Sequence, residues 1–447
     1  MSGFGEDPAD LVSVFFEQER YINQGSLPSS SPSDLTVFSG RYRAVAEGNY
    51  VRAHIDLGGR FSTSVERYSE LAAYQAYLRW ASEYDVRGLP RSRIYIGRTR
   101  LNWSHLDSAF SLGLWQPVNR FLPIRSEEMG LTGFFVGLRS SLGDAMFFLS
   151  SIFIPEQGPP FELVNGSFRT PSPWFTEPAN TVFLYNQPTR INYVLETPAI
   201  GSIVNQPSAG VRLRYGDERG RGFSAQAAYI WKPRNSLLTP FRAVLNIGDN
   251  PPSARVTVTP QVAFHQLAGV DLYYRFQLAT LSMSVLSEWP TDVDVSQERT
   301  YRSDQPVHFL SPALSLRLFQ ESRWPVKLGL ALLQTSGGQS VGVGPDGGNL
   351  AVFGSRFLWR NAVLVTGEQA LIGRSRWRLS HRWRWLEELS EKGSLLNWDV
   401  SVDVEPSWRV GLSIDLLASS KPEGDSGTLL ARARGFDRVS ARLGFHF

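Results

Sequence analysis

The chain has 447 residues, 42% of them hydrophobic, and a mean hydropathy of −0.19. That is too polar for a bundle of membrane-spanning helices, and no apolar run approaches the ~20 residues such a helix needs. Lys and Arg number 45 against 42 Asp and Glu, with no Cys. The balance gives no basis for a nucleic-acid partner, and zero Cys argues against a disulfide scaffold and a His/Cys metal cluster.

Residues 1–34 carry no sustained periodicity and finish in a Ser/Pro-rich linker from Ser26 to Ser33. They are expected to form an N-terminal tail with a short helix around Leu11 to Arg20, a plug being the sharper alternative. From Leu35 the side chains alternate with period two: Phe38, Tyr42 and Ala44 oppose Ser39, Arg41 and Arg43. Val51, Ala53, Ile55 and Leu57 then oppose Arg52, His54 and Asp56. Such alternation predicts strands with one apolar and one polar face. Further strands are predicted at 68–84, 93–102, 107–115, 131–140 and 145–154. A long irregular stretch, 155–188, rich in Pro, Phe and Asn, follows. Strands resume at 191–196, 209–215, 223–231, 241–247, 255–264, 270–289 (its alternation slipping near Ala279, where a bulge is expected) and 307–319. The set closes with 326–332, 351–370, 374–386, 395–405, 408–416 and 438–447.

The terminal strand is the clearest. Val439, Ala441, Leu443, Phe445 and Phe447 occupy one face; Arg438, Ser440, Arg442, Gly444 and His446 occupy the other. An apolar row ending in Phe445 and Phe447 resembles the last strand of bacterial outer-membrane β-barrels. That resemblance implies a closing strand read by the barrel-assembly machinery, with Phe445 and Phe447 as the signal. Short links alternate with long ones, as periplasmic turns alternate with extracellular loops in that class. The expected fold is therefore all-β: one transmembrane antiparallel barrel of about 18–20 strands over 35–447, an even count placing both chain ends in the periplasm. Residues 1–34 would be a periplasmic tail, and 155–188 a long extracellular or pore-folded loop, the best candidate for a constriction. The first residues lack the pattern of a signal peptide, so this reading assumes that one has been removed. A soluble sandwich is disfavoured because strands continue for roughly 400 residues with one composition, whereas sandwiches divide into smaller domains. The segment from Ile94 to Trp103, with Gly97-Arg98, followed by Leu112-Gly113-Leu114-Trp115, resembles the Gly-Arg strand and following Trp of specific porins and alginate-export channels.

In 376–385, Trp377, Leu379, Trp383 and Trp385 face one way and Arg376, Arg378, Arg382 and Arg384 the other. An arginine in lipid costs ~2–4 kcal/mol near the midplane, so this row belongs to the lumen. The expected pore-lining, anion-favouring set is Arg41, Arg43, Arg52, Arg212, Arg214, Arg376, Arg378, Arg382, Arg384, Arg438 and Arg442, joined by Arg255 and Arg317. Asp56, Asp399, Asp403 and Asp415 are the expected acidic partners. About half of these charges are expected to pair across strands; an excess of arginine would favour anions, because guanidinium takes oxyanions in bidentate fashion. Nine tryptophans, Trp80, Trp103, Trp115, Trp231, Trp289, Trp383, Trp385, Trp398 and Trp408, suit interfacial girdles. The six His are scattered and no catalytic pairing surrounds them, so neither enzyme activity, a metal nor a cofactor is expected. The function read from the residues is an outer-membrane channel passively conducting small polar, anionic solutes. The alternative is an occluded scaffolding barrel that binds partner proteins. Outer-membrane lipid and lipopolysaccharide, the assembly machinery, small anionic solutes, and partner proteins or a homo-oligomer are the expected partners.

Overall fold

The computed structural model describes residues 10–22, 32–48, 50–66, 68–81, 91–184, 186–216, 221–248, 252–291, 298–320, 322–343, 349–350, 356–372, 377–390, 392–404, 407–420, 430 and 433–446. Eighteen strands form one sheet that closes on itself. In chain order they are β1 (Asp10–Tyr21), β2 (Asp34–Glu47), β3 (Val51–Ser62), β4 (Ser69–Ala81), β5 (Arg91–Thr99) and β6 (Leu131–Arg139). Next come β7 (Gly143–Ser150), β8 (Ser208–Tyr215), β9 (Gly222–Pro233), β10 (Phe264–Arg275), β11 (Ala279–Pro290) and β12 (Val307–Leu318). The last six are β13 (Val326–Gly337), β14 (Ala362–Ile372), β15 (Trp377–Glu388), β16 (Gly393–Val404), β17 (Trp408–Ser419) and β18 (Arg438–His446). Each strand pairs antiparallel with its successor, and β18 pairs antiparallel with β1.

The side chains sort themselves by the wall's two faces. On β11, Leu281, Met283 and Val285 are each more than 40% exposed, while Leu286 beside them is fully buried. On β18, Leu443 is exposed outward and Arg438 and Ser440 are buried inward. Apolar residues outside and charges inside invert the order of a soluble protein, and only lipid makes that arrangement favourable. A closed ring also leaves no backbone edge unpaired, which hydrocarbon requires. The chain is an integral outer-membrane β-barrel. Eight of its hairpins turn at one end, some through links as short as Ser140–Leu142 and Phe276–Leu278, and the long connections gather at the other. We call these the turn end and the loop end; in this class the turn end faces the periplasm.

Several sequence expectations change. The tail reading fails over Asp10–Tyr21, which is the first wall strand and no helix. Val12, Val14 and Phe16 point to lipid, and Ser13, Glu17 and Glu19 are buried inside. Two glutamates on the inner face, together with the Phe15-Phe16 doublet, disguised the period. The expected bulge near Ala279 is a turn: Phe276 N donates to Ala279 O at 2.8 Å, dividing 270–289 between β10 and β11. The pieces predicted at 191–196, 241–247 and 255–264 leave the wall. Gln187–Leu195, Phe241–Asn246 and Ser253–Val258, with Thr181–Leu184, build a separate four-stranded sheet from loop-end connections. Arg255 therefore stands on that sheet, opposite Asn192, and not on a wall strand. The stretch 107–115 is not a strand either, and it determines the character of the interior.

Candidate functional site

The connection from β5 to β6, residues 100–130, folds into the lumen. Ser104 caps a single helical turn, His105–Phe110 (α1), by accepting from Asp107 N at 3.4 Å. The Asp107 carboxylate then accepts from Leu114 N and Trp115 N, both at 3.0 Å, and folds the chain back beside the helix. Ser111 (φ 51°) and Gly113 (φ 72°) supply the left-handed backbone of that reversal. Trp103 stacks on Trp115 at 5.6 Å with their planes 5° apart, and Trp103 meets Phe148 edge-on at 6.2 Å. Both tryptophans are at most 2% exposed, so neither belongs to an interfacial girdle. Their spacing fits a strand and a packed loop equally well.

Inward side chains fasten this segment to walls on every side. Arg212 on β8 donates to Asn102 O at 3.0 Å, and Gln226 on β9 to Trp103 O at 2.9 Å. Asp271 on β10 accepts from His105 N at 3.1 Å, and Arg384 on β15 donates to Ala109 O at 3.2 Å. Arg125 reaches Asp399 on β16 at 2.8 Å and Asp415 on β17 at 2.7 Å. Arg41 on β2 binds Glu127 at 2.8 Å. Burial pushes the Asp107 carboxyl up to about 6, against the pull of its two backbone donors.

The lumen is consequently dry at its loop end. Leu35, Val37, Ile230, Leu267, Leu286, Val307, Phe309, Leu333, Ala362, Leu386, Leu395 and Leu417 point inward from β2, β9 to β17, and none exceeds 4% exposure. They form one apolar cluster with Leu106, Phe110, Phe121 and Ile124 of the segment. The loop at 155–188, expected as the constriction, contributes Trp174 to that cluster. It meets the segment through Gln157 O, which accepts from Arg120 N at 2.7 Å, and Trp174 Nε1 donates to Tyr21 Oη at 3.1 Å.

The turn-end half is lined by charge and open to water. Arg43, Arg52, Arg214, Arg378, Arg382 and Arg442 stand on inward positions there. The Arg382 side chain is 67% exposed and that of Arg442 41%. Carboxylates are shared. Asp56 serves Arg41 (2.7 Å), Arg43 (3.6 Å) and Arg100 (3.2 Å). Asp144 serves Arg212 (3.2 Å) and Arg214 (3.8 Å); Glu368 serves Lys327 and Arg382, both at 3.5 Å. Glu47 is reached by Arg52 and Arg79, both at 3.8 Å. Asp403 pairs with Arg409, and Arg442 with Glu17 at 3.0 Å.

Of the residues singled out from sequence, Arg212 and Arg438 face inward but are buried anchors without a water-facing surface. Arg438 is held between Glu19 (2.9 Å) and Asp415 (3.0 Å), and Asp56 and Asp415 are fully buried. Phe445 points outward, edge-on to Trp408 at 4.9 Å. Arg376 and Phe447 lie outside the described residues. Sequence reading missed Arg41's partner Glu127, the anchor Arg125, and the acids Glu17, Glu19, Asp144 and Glu368. Strand alternation could have found Glu17 and Glu19; nothing local marks a loop residue that docks across the lumen. Among the described residues, no group of three or more His, Asp or Glu is arranged to hold a metal ion.

No family model matches the chain, and no curated protein matches it in sequence. Solved outer-membrane barrels are similar in architecture. Wzi of Escherichia coli, described as a carbohydrate-binding barrel involved in capsule assembly, is 10% identical over 98% of this chain and 84% of its own, with a TM-score of 0.44. OccAB2 of Acinetobacter baumannii is 7% identical over 98% and 97%, with a TM-score of 0.46. OpdK of Pseudomonas aeruginosa is 11% identical over 98% and 97%, with a TM-score of 0.45.

Proposed function

We propose that this barrel is a gated outer-membrane channel for small polar solutes, with a preference for anions. The observation that carries the reading is the division of its lumen. The obstruction at the loop end is a loop segment held to the wall by side-chain contacts, and the wall itself has a ring of 18 strands. Barrels of 16–18 strands enclose enough space for an aqueous channel. Displacing residues 100–130, together with the side chains such as Trp174 and Phe436 that other loop-end connections add to the same cluster, would join the water-facing turn end to the exterior. Anion preference follows from the sharing of carboxylates: Asp56, Asp144, Glu368 and Glu47 each serve two or three cations. Such a lining leaves a net positive field where Arg382 meets water. We also propose that the assembly machinery reads the outward aromatic end of β18 at Phe445.

One observation favours a second reading. The dry ring at the loop end is as well packed as a protein core, as an occluded barrel that binds partners would have it. Single-channel recording in a planar bilayer with a salt gradient separates the two. The channel reading expects brief openings, an anion-favouring reversal potential, and a shift toward cations in Arg382→Glu. A folded barrel that stays silent, even with residues 101–129 replaced by a short Gly/Ser linker, would sink it in favour of the occluded barrel.

A further inference from the structure

The lipid-facing side of the wall is hollowed across β8 to β11. Two adjoining rows of outward side chains form the hollow. Nearer the loop end stand Tyr229, Ala268, Ser287 and His308, each opposite the next. One row toward the turn end stand Leu213, Ala227, Val270 and Val285. Ala227 and Ala268 are diagonal neighbours, and where both are small the surface sinks into an apolar groove of about 440 Å³ that reaches Ala228 and Gly269. That volume lies in the range that takes one small ligand, roughly 300–1,000 Å³. Packing inside the barrel explains Gly269, since Trp115 of the lumenal segment lies against it and a Cβ would come within 3.2 Å of that ring. It does not explain Ala227 and Ala268, whose side chains point the other way.

The rim of the groove at the loop end is polar. Tyr229 Oη donates to Gln266 Oε1 at 3.0 Å, and His308 Nδ1 lies 2.8 Å from Ser287 Oγ. These bonds engage one end of each side chain; the Gln266 amide group and His308 Nε2 keep hydrogen-bonding capacity. Trp231 and Trp289 flank Gln266 in the next row, and Trp289 meets His308 edge-on at 6.1 Å. Tryptophans gather at headgroup level. The groove therefore begins at the membrane surface on the loop side and descends among the hydrocarbon chains.

We propose that this groove retains one acyl chain of a lipopolysaccharide molecule, with the linking carbonyl or hydroxyl of that chain at Gln266 and His308. The groove opens toward hydrocarbon, so its occupant is a membrane component. Long loops face the exterior in this class, which makes the leaflet at the rim the outer one, the leaflet of lipopolysaccharide. The rim residues carry no Lys or Arg. They suit the neutral esters and amides of that lipid, while its phosphates stand higher, in water. A smooth stretch of wall touches lipid without retaining it; a groove surrounds a chain on more than one side and adds dispersion contacts. The site is independent of conduction, because it lies on the opposite face of the wall from the lumen.

Native mass spectrometry of the full-length protein, extracted from outer membranes in a mild detergent, tests it. Wild type should carry one lipopolysaccharide per barrel. Ala268→Phe fills the groove and should lower the lipid-bearing fraction about tenfold. Gln266→Leu with His308→Leu removes the rim contacts and should lower it about threefold or more. Ala225→Phe makes the same change on the outer face one row below the groove, opposite Leu272, and should leave retention as in wild type. Heat-modifiable gel mobility shows that each variant is folded, and Ala227→Phe replaces Ala268→Phe should that variant not fold. A bare wild-type barrel overturns the proposal, as does a phospholipid or a second copy of the chain in place of lipopolysaccharide. Full retention in the filled or the rim variant, or equal loss in Ala225→Phe and Ala268→Phe, overturns it as well.

Discussion

Arg438 on the last strand and Glu19 on the first face each other across the seam where the barrel closes, 2.9 Å apart and almost wholly out of water. Arg438 also binds Asp415 on β17, and Glu19 pairs with Arg60 on β3. Lower on the seam, Arg442 meets Glu17 at 3.0 Å and His446 Nδ1 lies 2.8 Å from Ser13 Oγ. A one-residue slip of β18 against β1 would turn Arg438, Arg442 and His446 to lipid and strand their partners. The seam thus carries its own register.

Removing one side of a buried pair leaves a charge without its counterpart and typically costs ~3–5 kcal/mol. Arg438→Met should lower barrel stability by ~3 kcal/mol or more in urea titrations of the protein in lipid vesicles. Glu19→Gln with Arg438→Met should cost less than the sum of the single changes. Strict additivity would mean that the two groups do not act as a pair.

Arg125 ties the lumenal segment to two wall carboxylates, Asp399 and Asp415. Arg125→Ala should raise the open fraction in bilayer recordings severalfold or more, since a tie of 1–3 kcal/mol is worth about 5- to 150-fold. The size of the fully open current should not change. An altered open current with an unaltered open fraction would make Arg125 part of the conduit and not its latch.

Asp107 makes the docked segment sensitive to pH. Its folded value is raised from 3.8 to about 6, with burial as the principal cause. A raised carboxyl contributes stability fully present below 3.8 and lost as pH rises through about 6. The difference of about two units corresponds to ~3 kcal/mol once the group is ionised. Hydrogen exchange at Leu114 and Trp115, corrected for intrinsic rates, should therefore become faster in wild type relative to Asp107→Asn as pH rises from 4 to 7. Parallel behaviour of the two proteins would remove Asp107 from the account.

Phe15 lies flat over Gly444, directly opposite it in register, with the Arg442 guanidinium 5.4 Å from the ring centre. A Cβ on residue 444 would run into that ring. Gly444→Val should cost ~1–3 kcal/mol by overpacking, read as a lower urea midpoint. Phe15→Ala should restore part of that loss in the double variant, whereas a further fall would show that Phe15 is not what the new side chain meets.

The strands that announced themselves were those whose two faces differ in kind. On β15 Trp377 and Leu379 alternate with Arg378 and Ser380; on β16 Trp398 and Val400 alternate with Asp399 and Ser401. Lipid on one side and water on the other write that alternation into sequence. β1 was illegible because its inner face carries Glu17 and Glu19, whose partners Arg442, Arg438 and Arg60 are remote in sequence. The sheet containing Phe241–Asn246 alternates for the same local reasons as a wall strand, and its Val244 and Leu245 differ from wall residues only in what surrounds them. The site was half legible: alternation put the arginines inside. Where they meet water depends on residues 100–130, whose Leu106, Phe110 and Trp115 look locally like any other apolar run.

A barrel of this width is a hazard to the membrane that contains it, since any persistent opening would admit detergents and antibiotics along with nutrients. In the gated reading proposed above, that exposure depends on whether roughly 30 residues stay docked, and each 1.4 kcal/mol of docking would lower the undocked fraction about tenfold. Selection on leakiness would therefore fall on Arg125, Asp107 and the apolar ring beneath them. The wall itself could remain unchanged while permeability moved by orders of magnitude.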